Sequence, residues 1–220
     1  MKEIPVLPLS RAVLFPHGQL PIPIKENRSG FMIRDVLTIE KEIGVLYSKD
    51  PCISNLHKSA LQKSLIGCVG IVEMFERLPL GRMNILLRGG SRFRVERLIQ
   101  ARPYYRAEIA YLDDNDFFLT EAEKKRLAGY LFQNIKTYLK TILKCETINL
   151  HWKFDQLNLE RLINQAAMYL DMNLQEKQRI LEFSSLETRY QFVSNFIEEG
   201  LAVARFSENR MCILENPILN

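Results

Sequence analysis

The sequence predicts an α+β protein with a β-rich first part and an α-helical second part. Residues 1–114 contain short apolar runs bounded by Pro, Gly, Asn and Ser, which is the pattern of strands. Residues 119–204 contain apolar residues at the spacing of amphipathic helices. The charge changes with the pattern, because residues 1–110 hold 17 Lys+Arg against 10 Asp+Glu and residues 111–220 hold 13 against 16. We therefore predict two subdomains, 1–114 and 119–204, and a C-terminal tail over 205–220.

The first strands lie around an unusual segment, VLFPHGQLPIPI, residues 13–24. Proline cannot donate to a strand ladder, so this segment predicts an edge strand entered through a turn at Pro16-His17-Gly18. The aliphatic residues alternate with Pro21 and Pro23, which places Leu20 and its successors on one face. The runs that predict strands are IPVLPL, QLPIPI, IGVLY, SLIGCVGIVEMF, RMNILLRG, SRFRVERL and YRAEIAYL.

Three local features complete the first part. The stretch SGFMIRDVLTIEKE has apolar residues at helical spacing and predicts a helix that ends before Gly44. Pro79 and Gly81 predict a hairpin turn between two strands. The pair Gly89-Gly90 predicts a bulge or sharp bend in a strand. Cys68, within IGCVGIV, is interpreted as a small buried hydrophobic residue.

The second part predicts four helices. Thr120 and Glu123 form a capping-box pattern at the start of the first helix. The others are predicted to begin near Leu157, after Asn173 and around Ser185, and Gly200 is interpreted as the C-cap of the last. Residues from 206 onward lack helical periodicity and predict an extended or loosely attached tail.

Several segments, taken in order, resemble the Lon N-terminal domain family over about residues 4–200. They are Val6-Leu7-Pro8-Leu9, Val13 to Ile24, Glu26-Asn27-Arg28, Gly67-Cys68-Val69-Gly70-Ile71, Leu86 to Val95, and Asp171 to Phe183 with Arg189 beyond it. The resemblance implies a β-rich, PUA-like barrel-type unit followed by a helical bundle. In Lon proteases this region precedes ATPase and Ser-Lys protease modules and helps capture unfolded substrates, so the sequence resembles a stand-alone form of that region. Two positions depart from the family pattern: His17 precedes the expected glycine, and Ser29 replaces the usual aromatic residue.

The sequence also predicts what the protein does not do. It contains no GxxxxGK[ST], GxSxG, HExxH or GxGxxG motif, so we expect no enzymatic activity and no cofactor. The cysteines and histidines have no zinc-ligand spacing, and we expect no metal. His17 is interpreted as a turn histidine rather than a general base. No apolar run approaches the length of a membrane span, so we expect no membrane partner and a cytoplasmic protein.

Two binding hypotheses remain. The resemblance and the apolar turn favour a module that binds unfolded or partner polypeptide, and the candidate contact residues are Phe15, Leu20, Leu78 and Leu80. The alternative is RNA binding through an arginine-rich stretch, residues 82–106, whose candidate contacts are Arg82, Arg88, Arg92 and Arg94. A third interpretation is that these arginines form the solvated face of a strand pair, balanced by carboxylates in the helical part.

Overall fold

The structure is a computed structural model that describes residues 2–25, 28–38, 42–49, 65–99, 103–113, 119–142 and 158–214. The strands are β1 (Lys2–Leu9), β2 (Gln19–Ile24), β3 (Glu42–Tyr47), β4 (Ile66–Arg77), β5 (Met83–Ile99) and β6 (Tyr105–Tyr111). The helices are α1 (Arg28–Thr38), α2 (Glu121–Ile142), α3 (Leu159–Tyr169), α4 (Leu174–Glu182) and α5 (Leu186–Leu214). The predicted α+β class is confirmed.

The chain divides into two compact units. The first contains residues 1–114 and 167–184, and the second contains residues 115–166 and 185–220. The sequence prediction placed 167–184 in the helical subdomain, whereas the structure groups this segment with the strands. Its side-chain bonds to the sheet, described below, explain the difference.

The sheet of the first unit closes on itself through the long strand β5. The strand order is β2-β5-β4-β3-β1-β6, and β5 also pairs with β6. The later residues of β5, from Phe93 to Ile99, pair with β6, while its first residues, from Met83 to Arg88, pair with β2 and β4. The ring β5-β4-β3-β1-β6 is a closed barrel, and within the described residues β2 pairs with β5 alone. The prediction that Gln19–Ile24 is an edge strand is therefore confirmed.

A tight contact holds the predicted Pro16-His17-Gly18 turn against β5. The His17 amide donates to the Gly89 carbonyl at 2.9 Å, and the Gly89 amide donates to the Gly18 carbonyl at 2.8 Å. A Cβ atom at Gly89 would lie 1.9 Å from the Phe15 carbonyl oxygen, so only glycine fits this approach. The β4–β5 register shifts beside this point, as the Gly89-Gly90 pair predicted.

Two apolar clusters fill the first unit. One joins α1, through Met32, Ile33 and Val36, to the inner side chains of β2, β4 and β5. The other contains Ile4, Val6, Leu46, Val69, Phe93, Val95, Ala107 and Ile109. Cys68 is fully buried in the first cluster, and this burial raises the pKa of its thiol, so its interpretation as a small hydrophobic residue is confirmed.

Segment 167–184 is bonded to the sheet by two polar side chains. Arg92 of β5 is 3% exposed, and its Nη1 donates to the carbonyls of Leu181 and Phe183, both at 2.8 Å. Gln178 Nε2 donates to the Ile66 carbonyl at 3.0 Å. The prediction that a helix begins after Asn173 is confirmed, and a capping box at Asn173 fixes the start of α4. Arg92 thus caps the carbonyl end of the helix that Asn173 begins.

In the second unit, α2 packs against α5. The predicted capping box is confirmed, because the Thr120 amide donates to Glu123 Oε2 at 2.8 Å and the Glu123 amide donates to Thr120 Oγ1 at 3.3 Å. Gly200, predicted as a C-cap, lies inside α5, and a Cβ atom there would lie 2.6 Å from Tyr138 Cε2. The prediction was wrong because this glycine makes room for a ring rather than ending a helix.

The predicted tail is also corrected. Helix α5 includes residues up to Leu214, so residues 206–214 are helical rather than extended. Residues 215–220, the pair Glu26-Asn27 and residues 114–118, between the two predicted subdomains, lie outside the described residues.

Candidate binding surface on strands β2, β5 and β4

Strand register places three apolar side chains side by side on the outer face of the sheet. Pro21 is the partner of Leu86, and Leu86 is also the partner of Met74. Met74 is 66% exposed, Pro21 is exposed and Leu86 is half-buried. We call Pro21, Leu86 and Met74 the outer row. Its existence depends on pairing between three strands, because directly opposed residues share a face.

Polar side chains border the outer row on both sides. On one side, Arg88 Nε lies 2.7 Å from Glu73 Oε1, and Gln19 Nε2 donates to Glu73 Oε2 at 3.0 Å. On the other side, Asn84 Nδ2 donates to Glu76 Oε2 at 3.3 Å. An apolar centre with a polar rim is the arrangement of protein–protein contact surfaces.

The edge of β2 cannot accept another strand. Pro21 and Pro23 have no N–H. The residues of β2 that donate hydrogen bonds to β5 are therefore those that alternate with the prolines, such as Ile22. The opposite edge, toward solvent, therefore presents carbonyls at both prolines and no amide. This arrangement blocks edge-to-edge pairing there, as the sequence predicted.

The edge of β4 is different. Within the described residues, β3 pairs with β4 only as far as Ile71, so the end of β4 pairs with β5 alone. The Leu78 amide donates across the hairpin to the Arg82 carbonyl at 2.8 Å. Because strand amides alternate in direction, the N–H and C=O of Phe75 and Arg77 point away from β5. Phe75 itself is 50% exposed.

The hairpin turn carries an unusual residue. Leu80 has φ 63° and Gly81 has φ 69°, and the Leu80 side chain is 83% exposed. Arg82 Nε donates to the Pro79 carbonyl at 3.4 Å within the same turn. The hairpin predicted from Pro79 and Gly81 is confirmed.

The four predicted peptide contacts differ in their accessibility. Phe15 is fully buried and cannot touch a bound peptide, because the turn after it folds back against Gly89. Leu20 is partly buried against the first core cluster, and Leu78 is also partly buried. Leu80 alone of the four is largely exposed.

Met74, Leu86, Pro21 and Phe75 were not predicted as contacts. Strict alternation along IVEMFER would place Met74 on the inner face with the buried Val72. The register shift between Val72 and Met74 places it on the outer face instead. The sequence signal that could have identified Met74 and Phe75 is that this apolar pair lies between charged residues, with Glu73 before it and Glu76 and Arg77 after it.

The arginine-rich stretch has a structural explanation for most of its members. Arg92 is buried and bonded to carbonyls, so it is not available to a nucleic acid. Arg88 pairs with Glu73 at 2.7 Å and Arg94 pairs with Glu96 at 2.8 Å. Arg97 pairs with Glu108, which raises the pKa of Arg97 and lowers that of Glu108, chiefly through their hydrogen bond. Arg82 is exposed, and Arg102 lies outside the described residues.

These pairs correct one detail of the sequence interpretation. Among the described residues, the carboxylates that pair with Arg88, Arg94, Arg97 and Arg106 lie on strands of the sheet itself. Within the described ranges, no group of three His, Cys, Asp or Glu side chains is placed to hold a metal ion. None of the described helices is long and apolar enough to cross a membrane.

Comparison with known proteins matches residues 3–199 to a family described as the ATP-dependent protease La (LON) substrate-binding domain. Lon protease of Dictyoglomus thermophilum is 25% identical over 98% of this chain and 26% of its own length. Lon protease of Flavobacterium johnsoniae is 27% identical over 85% of this chain and 23% of its own length. The chain therefore spans about a quarter of the length of these relatives.

Two solved structures share the fold. The Lon N-terminal domain protein from Xanthomonas campestris aligns with a TM-score of 0.61 at 20% identity, covering 87% of this chain and 96% of that one. The N terminal domain of Mycobacterium avium complex Lon protease aligns with a TM-score of 0.69 at 14% identity, covering 90% and 98%. The architecture predicted from the resemblance thus corresponds to the fold of two solved domains.

Proposed function

The chain belongs to the Lon substrate-binding domain family, and from this premise we propose that it is a non-enzymatic module that binds polypeptide segments with exposed apolar side chains. The observation that carries the proposal is the outer row, an exposed apolar strip with a polar rim beside an available strand edge. A segment paired along the free edge of β4 would place its outward side chains beside Met74, the member of the outer row nearest that edge. Amides and carbonyls of β4 at Phe75 and Arg77 would bond to its backbone.

The size of this surface implies weak binding. Covering about 300 Å² of apolar area contributes about 7 kcal/mol, and association costs take up much of it. Since a dissociation constant of 1 mM corresponds to about 4 kcal/mol, we expect a dissociation constant of about 1 mM or weaker for the apolar contact of a single segment. Weak, repeated contacts suit the capture of unfolded chains better than the recognition of one tight ligand.

The test is a titration of the purified chain with a reduced, carboxymethylated reporter protein that cannot refold. Because the contact buries apolar area, binding should persist at high salt and show a negative heat-capacity change. Met74→Glu should weaken it about fivefold or more, because a charge replaces an exposed methionine that the bound segment would cover. Tyr130→Glu on α2 is the matched control, since Tyr130 is 62% exposed outside this surface. Equal effects of the two variants would contradict the assignment.

RNA binding is the weaker alternative. Arg92 is buried, and Arg88 and Arg94 are paired with carboxylates of the same sheet. No contact in the described residues favours a nucleic acid at this stretch. If structured RNA binds and the reporter protein does not, the polypeptide proposal is wrong.

A further inference from the structure

Leu80 occupies a backbone conformation that its side chain disfavours. Its φ of 63° is in the left-handed region, where Gly, Asn and Asp are favoured and a bulky residue is an outlier. Gly81, next to it, has φ 69°. Asparagine tolerates this region better than leucine, because its short polar side chain can hydrogen-bond locally. A leucine at this position therefore lowers the stability of the turn relative to asparagine.

The same side chain is 83% exposed, the largest exposure among the described large hydrophobic residues. It thus contributes little to the core that could offset its conformational cost. Leu78, two residues before it, is partly buried, so the exposure belongs to the turn itself. Backbone strain and exposure are separate costs at one residue, and a contact with a ligand would explain both.

The charges around Leu80 indicate what kind of ligand fits. Arg77 precedes it and Arg82 follows it, and both side chains are exposed. Neither arginine has a carboxylate partner among the described residues, in contrast to Arg88, which pairs with Glu73 at 2.7 Å. The nearby Glu76 is bonded to Asn84. The turn therefore presents one apolar side chain between two cations.

We propose that this hairpin tip, Arg77 to Arg82, selects polypeptide segments in which a large apolar side chain is flanked by acidic residues. The inference rests on the proposed function and adds a preference to it. Leu80 contacts the apolar side chain of the segment, and the two arginines pair with the acidic residues on either side of it. The outer row and Leu80 supply the general affinity for apolar segments, and Arg77 and Arg82 supply the choice between them.

The test uses two synthetic peptides of about twelve residues with the same apolar centre, one flanked by Glu and the other by Lys. Fluorescence anisotropy of labelled peptides measures binding to the purified chain at low salt. The chain should bind the Glu-flanked peptide about three- to tenfold more tightly. Arg77→Gln with Arg82→Gln should remove that preference, whereas Arg126→Gln on α2, also an exposed arginine, should leave it unchanged.

Leu80→Asn separates a binding role from a structural one. It should weaken both peptides about fivefold while raising the melting temperature by about 2 to 4 °C, because asparagine tolerates this φ. Unchanged peptide affinity in this variant, or no preference between the peptides in the unmodified chain, overturns the inference. If the reporter protein still binds in those cases, the proposed function stands. If neither peptide nor the reporter binds, both proposals fail.

Discussion

Replacing Arg92 by alanine should destabilise the first unit strongly. The side chain is 3% exposed and its Nη1 donates to the carbonyls of Leu181 and Phe183, both at 2.8 Å. The substitution removes two hydrogen bonds that a charged group donates. The buried carbonyl of Leu181 and the partly buried carbonyl of Phe183 then lose Arg92 as their donor. We expect a loss of about 2 to 4 kcal/mol in the free energy of unfolding.

Urea unfolding followed by circular dichroism measures this loss, and hydrogen exchange locates it. Amides of α4 should exchange faster, because Arg92 holds the end of that helix. Arg94→Ala is the matched control: Arg94 lies two residues away on the same strand, its side chain is 44% exposed, and its partner is Glu96. That variant should change stability by less than about 1 kcal/mol. Equal losses in the two variants would refute the view that Arg92 joins segment 167–184 to the sheet.

Three further predictions concern local geometry. Gly200→Ala should lower the stability measured by thermal unfolding by about 1 to 3 kcal/mol, because the alanine Cβ would overlap the Tyr138 ring. An increase in stability would show that the ring can move aside. His17→Gly should raise stability by about 0.5 to 1 kcal/mol, because His17 has a φ of 63°, which glycine adopts without strain. An unchanged melting temperature would show that the backbone of His17 is not strained. Hydrogen bonds from Thr120, chiefly from its side chain and then from its backbone amide, hold the pKa of Glu123 below its ordinary value. The stabilisation that the ionised Glu123 gives is therefore present above about pH 4.3 and is lost as the pH falls through the pKa of Glu123 in the folded protein. In Thr120→Ala, nuclear magnetic resonance titration should find the Glu123 pKa closer to its ordinary value, and no change would refute the bond.

Features set by neighbouring residues were predicted well from the sequence. The capping box at Thr120 depends on a residue three positions away, and the predicted helix start after Asn173 is equally local. The edge strand at Gln19–Ile24 follows from prolines that cannot donate, and the hairpin follows from Pro79 and Gly81. In each case the cause and its effect lie within a few residues of each other.

Features set by distant residues were not predicted. Phe15 looks like a surface residue until Gly89, more than seventy positions later, is seen to receive the turn that follows it. Arg92 has the same place in the alternating pattern of its strand as the partly exposed Arg94, and its bonds to the carbonyls of Leu181 and Phe183 come from a distant part of the chain. The outer row needs the register of three strands, which a bulge after Val72 alters. Side-chain pattern along one strand carries no information about these contacts.

The most direct test of the central claim is hydrogen exchange of the whole chain with and without the unfolded reporter protein. Binding of the reporter should slow exchange in the β4–β5 hairpin, above all at the amides of Phe75 and Arg77, and leave exchange in α2 unchanged. Protection should decrease when Met74 is replaced by glutamate. Saturating reporter with no added protection in the hairpin, or with protection confined to the helices, would contradict the claim that this surface binds polypeptide.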